Sequence, residues 1–122
     1  MITQKIKRGQ VGEEAAVAFL KRNGYAILEL NYRNQLGEID IIARDGDTIC
    51  FVEVKARRSV TFGSPFESVT LSKQRKLALV AISYLKAKRN VEVKARFDVI
   101  AVFLERERCR QVEIIKNAFE VN

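Results

Sequence analysis

Two short stretches carry residue types that could do chemistry: Gly37-Glu38-Ile39-Asp40 and Phe51-Val52-Glu53-Val54-Lys55. Each sets a carboxylate into an apolar, strand-like run. Side chains alternate across a strand, so Glu53 and Lys55 share one face. An ordinary core avoids burying an acid and a base, because both lose hydration. Two carboxylates brought close together repel, and need either a cation between them or a proton on one. A hard divalent cation such as Mg²⁺ meets that need with oxygen ligands from Asp40 and Glu53. Such a cation polarises a phosphoryl oxygen. Lys55 could then position an attacking water or neutralise charge that builds on the phosphate. The same residues also admit a plainer reading, cross-strand salt bridges on a half-exposed sheet.

Composition narrows the chemistry. The chain has no histidine and two cysteines, Cys50 and Cys109. That excludes the usual zinc ligand sets and any Ser-His or Cys-His nucleophile pair. Cys50 lies in an apolar strand pattern and reads as a small core residue. Catalysis would fall to carboxylates and lysine, with a metal that prefers oxygen. The formal net charge of +7 suits a polyanionic partner such as nucleic acid, although a generally basic, solvated surface would give the same total. With 122 residues, 48% of them hydrophobic, the chain suits one compact domain over residues 1–122. No apolar run approaches the roughly 18 residues of a membrane helix. Residues 1–10 are basic and lack the apolar stretch of a signal peptide. No membrane partner and a cytoplasmic location are therefore expected.

The elements that must position these residues read as follows. Residues 10–23 form a helix, with Val11, Ala15, Ala16, Phe19 and Leu20 in one apolar sector and Gly24 as its stop. Glu14 and Lys21 fall on the wet face, whereas Glu13 leans toward the edge of the buried sector, close enough to add a second-shell or second-metal contact. Residues 1–9 read as a basic arm whose Lys5, Lys7 and Arg8 could touch phosphates. Strands are expected at 25–33, 38–44, 48–57 and 95–104, with a further short one at 111–116. A second helix covers 72–89, with Leu77, Val80, Ala81, Tyr84 and Leu85 on its apolar stripe. The order α-β-β-β-α-β-β describes one α/β domain around a mixed sheet.

The hairpin can be tested on paper. A two-residue loop of Asp45-Gly46 puts Asp40 diagonal to Glu53. A four-residue loop, 45–48, pairs Asp40 with Glu53 directly. In both registers Glu38, Asp40, Glu53, Lys55 and Arg57 share a face, and Ile39, Ile41, Ala43, Val52, Val54 and Ala56 lie on the core face. A three-residue loop would separate the two carboxylates unless a bulge restored the register.

An Asp, then a Glu-x-Lys one strand later, with a Glu on the preceding helix, resembles the PD-(D/E)xK nuclease superfamily. More closely, the chain is similar to the small bacterial YraN-like family. Its pattern is met by Gly12-Glu13, Gly24-Tyr25, Asn31-Tyr32-Arg33, Gly37-Glu38-Ile39-Asp40, Phe51-Val52-Glu53-Val54-Lys55-Ala56-Arg57, Gly63-Ser64-Pro65 and Arg96-Phe97-Asp98. The resemblance implies a restriction-endonuclease-like αβββαβ core, a mixed central sheet flanked by helices. It also implies Mg²⁺- or Mn²⁺-dependent phosphodiester cleavage of DNA, with branched or structured DNA of recombination and repair as the expected substrate. Holliday-junction resolvases are similar relatives that act as dimers, which offers a homodimer by analogy. Carried over by position, Asp40 and Glu53 are metal ligands and the backbone carbonyl of Val54 is a third. Lys55 is then the catalytic lysine and Glu13 the helix-borne acid. Ile39 stands where the superfamily name has proline, and Ala78 stands where an exonuclease-type Gln-x-x-x-Tyr would place its tyrosine after Gln74. The alternative is a nucleic-acid-binding protein of nuclease fold with little or no activity of its own.

Further candidates surround this set. Lys73 and Gln74 extend the second helix's buried stripe toward its N-terminus, where a phosphate could bind; an ordinary solvated first turn is the alternative. Arg57 and Arg58 enter the loop 59–69 and could hold a DNA backbone or simply sit in solvent. Phe62 and Phe66 in that loop could stack on a base or anchor the core. Glu38 has the correct face for the site. Asp98 opens the fourth strand, as a site residue or as a partner for Arg96 and a backbone group.

Overall fold

Apolar residues at helical spacing pack α1 (Gln4–Arg22) onto one face of the sheet. Ala16 and Leu20 are fully buried there, with Val11, Ala15 and Phe19 packed beside them. The structure is a computed structural model and describes residues 4–58, 69–89, 92–106 and 108–120. After α1 come β1 (Ala26–Asn34), β2 (Gly37–Asp45), β3 (Thr48–Arg57), α2 (Leu71–Ala87), β4 (Lys94–Glu105) and β5 (Arg108–Phe119). The strands form one five-stranded sheet in sequence order. β3 and β4 run parallel and the other neighbours antiparallel. A parallel pair needs a crossover connection, and α2 supplies it.

The two faces of the sheet carry separate cores. Ile41, Ala43, Cys50, Val52, Ile100 and Val102 pack under α1. Ile42, Phe51 and Val99 pack under Leu77, Val80, Ala81 and Tyr84 of α2. This is an α/β fold with a mixed sheet between two helices, as expected, and the helical stripes are those read from the sequence. Cys50 is fully buried, and burial pushes its thiol up to about 12. Among the described residues no helix is long and apolar enough to cross a membrane.

Three expectations change. Residues 4–9, read as an arm, belong to α1, because Gln, Lys and Arg are good helix formers and extend the turn pattern upstream. β5 is twice the expected length; it is an edge strand whose exposed residues need no apolar alternation, so its polar start left no signal. The β2 alternation also fails once. Ile39 packs with Ile42 under α2, so it does not lie on the α1 face with Ile41. The loop residues Phe62, Phe66 and Gly63-Ser64-Pro65 lie outside the described residues.

The hairpin register follows the second paper alternative. Arg44 pairs with Ile49 and Ile41 with Val52, while Asp45 and Thr48 also pair and tighten the turn to Gly46-Asp47. A polar network holds this end. Arg96 donates to Asp98, Asp45 and the Tyr25 hydroxyl, and the Asn117 backbone N–H donates to Asp98. Asp98 is thus fully buried yet satisfied, in the partnership with Arg96 and a backbone group that its sequence context allowed.

Gly12 lets α1 approach the sheet. A Cβ there would lie 2.9 Å from Ala56 Cβ, whereas one at Gly9 meets nothing within 4 Å. Gly12→Ala is expected to destabilise by about 1–3 kcal/mol through overpacking. Gly9→Ala should instead stabilise, by up to about 1 kcal/mol, through helix propensity. Urea unfolding of the two variants checks this; a loss no larger for Gly12→Ala than for Gly9→Ala would contradict the close approach.

Candidate active site

β2 and β3 stop pairing at Ile41 and Val52. The next pair in register would be Asp40 with Glu53. In its place, the Val54 backbone N–H donates to Asp40 Oδ2 at 2.8 Å. A strand residue's N–H and C=O point to the same side. The Val54 carbonyl therefore also faces this gap, beyond the last ladder pair. Asn31 lies opposite Asp40, between the Leu30–Ile41 and Tyr32–Ile39 pairs, and holds a left-handed backbone with φ 52°. Asparagine tolerates that conformation better than most residues.

Side chains from both helices converge on the gap. On the α1 side, Asn31 Nδ2 donates to Glu13 Oε1 at 2.6 Å. Glu13 and Asp40 line a depression of about 290 Å³ with Gly9, Gln10, Val54 and Ala56. Burial raises the Glu13 pKa, the Asn31 hydrogen bond opposes this, and the Asp40 and Glu38 charges add to it. On the α2 side, Lys73 Nζ lies 3.3 Å from Glu53 Oε2. Thr70 caps α2 by accepting from the Lys73 backbone N–H, which fixes where that side chain starts.

Glu53 is only 8% exposed. Its burial, then its contact with Asp40, push its pKa up to about 8, against the opposing pull of Lys73 and Lys55. Loss of hydration and the neighbouring carboxylate outweigh the pull of the two amines on Glu53. Burial also lowers the Lys55 pKa, helped by Lys73 beside it. Burial disfavours the Lys73 charge as well, but Lys55 and Glu53 outweigh it and the net shift is upward. Of the two amines, Lys73 keeps its proton and Lys55 gives its up more readily.

The expected residues divide as follows. Glu13, Asp40, Glu53 and Lys55 are brought together with the Val54 backbone. Lys73 joins them directly through Glu53, which the sequence placed only at a helix N-terminus. Gln74 does not join: its side-chain amide donates to the Val69 carbonyl and ties down the entry to α2. Glu38 sits one step outward, paired with Arg33 at 3.2 Å, in a cavity shared with Lys73 and Lys76. Arg57 and Arg58 are exposed at the end of β3. Asp98 lies with Arg96 on the α1 face toward the hairpin, and is not brought to Asp40. Asn31 was legible only as part of a motif; within β1 it falls in the ordinary polar alternation with Glu29 and Arg33, which gave it no local signal.

A hard cation suits this donor set. It would relieve the Asp40–Glu53 repulsion and use a carbonyl that lacks a ladder partner. Among the described residues no group of three or more acidic, Cys or His side chains could hold a metal, so Glu13 stands beside the pair and not in a shared ligand set.

With this geometry in place, comparison with known proteins gives the family. Residues 12–102 match the Uncharacterised protein family UPF0102, and the chain belongs to that family. It is 52% identical over 120 residues to a UPF0102 protein of Syntrophus aciditrophicus, covering 98% of this chain and 94% of that one. It is 50% identical over 120 residues to one from Moorella thermoacetica, covering 98% and 100%. A third, from Desulfosudis oleivorans, is 49% identical over 122 residues, covering 100% and 97%. The family-level resemblance read from the motifs therefore holds.

The raised Glu53 pKa has a consequence for stability without metal. Below about 4.5 the carboxyl is protonated whether the chain is folded or not, and burial is tolerated. As pH rises from there toward 8, the unfolded chain loses this proton while the folded chain keeps it, so stability falls. The full cost, on the order of 3–5 kcal/mol, is reached above the folded value. Melting in EDTA across this range should show the decline, and Glu53→Gln should flatten it. An unchanged slope in the variant would contradict the assignment.

Proposed function

We propose that the chain is a metal-dependent endonuclease of the PD-(D/E)xK type that hydrolyses phosphodiester bonds in DNA, with branched or structured DNA of recombination and repair as substrate. The observation that carries this reading is the meeting of Asp40 and Glu53 where the β2–β3 ladder ends, with the Val54 carbonyl facing the same gap and Lys55 one residue on.

Asp40, Glu53 and the Val54 carbonyl would hold Mg²⁺ or Mn²⁺. When bound, the cation supplies charge to a phosphoryl oxygen and acidity to water. The remaining work falls to the chain. Lys55 can position the attacking water or neutralise charge that builds on the phosphate. Lys73 keeps its positive charge beside Glu53, where it can face the charge that develops on the phosphate. Glu13, held by Asn31, orders the wall of the depression. Arg57 and Arg58, exposed beyond Lys55, supply positive charge for flanking phosphates.

One observation favours a second reading, a nucleic-acid-binding protein of the same fold with little activity. The Lys73 ammonium lies 3.3 Å from Glu53, so it can serve as that carboxylate's cation without a metal. The two readings separate in a cleavage assay on labelled duplex, flap and four-way-junction DNA with Mg²⁺, Mn²⁺ or EDTA. Asp40→Asn, Glu53→Gln and Lys55→Ala should each lower metal-dependent cleavage by at least about a hundredfold. Their DNA affinity should stay within a few fold of wild type. Binding without cutting by the wild type would favour the second reading, and an equal collapse of affinity in the variants would show that these residues bind and do not catalyse.

A further inference from the structure

A groove of about 440 Å³ runs between α1 and the edge strand β1. It shares Gln10 and Glu13 with the depression around Asp40, so it opens directly from the candidate site. Val17, Ala18 and Leu30 make its apolar floor, and Leu30 is 50% exposed. Glu14 lines one part and Lys21 another, seven residues or about 10 Å further along α1.

The lining selects its occupant. At the end lined by Glu13 and Glu14 a phosphate would meet like charge. A flat apolar ring with hydrogen-bonding edges fits better: its faces cover Val17, Ala18 and Leu30, and its amino group can donate to Glu14. The volume is that of a small-molecule site. We infer that this groove is a nucleobase subsite, which receives an unpaired base next to the candidate site at Asp40 and Glu53. The inference rests on the nucleic-acid reading above and names its substrate class. A paired base is stacked inside its duplex and cannot enter, so single strands and frayed or flapped ends are the preferred ligands. Lys21 stands where the next phosphate of the strand would leave the groove.

Two substitutions test this. Ala18 is exposed on α1, so Ala18→Met fills the groove with a good helix former and leaves the core alone. Leu30→Thr removes apolar floor from an exposed strand position while keeping strand propensity. Fluorescence polarisation is read with a labelled single-stranded oligonucleotide and with its duplex, using Lys55→Ala protein in Mg²⁺ to suppress cleavage. That background should bind the single strand about tenfold more tightly than the duplex. Each groove variant should lose most of that preference, while duplex affinity and melting temperature change little. If both groove variants keep the preference, or lose duplex affinity equally, the subsite is overturned and the nuclease reading stands. If the wild type binds neither strand form, the nucleic-acid reading itself falls and takes the subsite with it.

Discussion

The arrangement turns on two carboxylates forced together where hydrogen bonding between β2 and β3 ends. Asp40 cannot continue the ladder, because its side chain occupies the Val54 N–H. Glu53 is almost closed off from water beside it. Neither proximity nor burial suits a carboxylate, and together they lift the Glu53 pKa to about 8. A proton, a lysine ammonium or a divalent cation can each relieve the site. The chemistry proposed here depends on the cation displacing the proton.

The rest of the fold makes that strain tolerable. At the hairpin end, Arg96 ties β4 to β2 and to Tyr25 at the start of β1, and Asp98 receives both Arg96 and the Asn117 backbone. That end is fully hydrogen-bonded, as buried polar groups require. Two apolar layers, one under each helix, fix the middle of the sheet. With the strands anchored there, β2 and β3 can part beyond Ile41 and Val52 without loss of register. Gly12 brings α1 close enough for Glu13 to reach the gap, and the Thr70 cap starts α2 where Lys73 can reach it from the other side. The left-handed Asn31 completes the arrangement by holding Glu13 from β1.

Much of this could be read from residue types and spacing. The helical stripes, the order of elements along the chain and the meeting of Asp40 with Glu53 and Lys55 follow from periodicity and from the short hairpin, which permit few registers. Alternation alone could not show that the ladder stops before Asp40 and Glu53 pair, because that depends on a side chain replacing a backbone acceptor. It also misplaced Ile39, since the alternation of faces breaks between Ile39 and Ile41. The Lys73–Glu53 contact joins residues from different elements and depends on the packing of α2 over the sheet. Nothing local distinguished Lys73 from an ordinary basic first turn. Gln74 had the same spacing to recommend it, and its amide holds the helix entrance. β5 has an apolar rhythm only around Val112 and Ile114, so its exposed start gave no sign of its length.

The most direct test of this picture is calorimetric titration of the protein with Mn²⁺ at pH 7, in two buffers of different ionisation enthalpy. Displacement of the Glu53 proton by a cation should release about one proton per metal bound. Glu53→Gln should abolish that release and weaken binding. Saturable binding with proton release in the wild type alone is the result this account requires. No saturable binding, or the same proton release in Glu53→Gln, would contradict it.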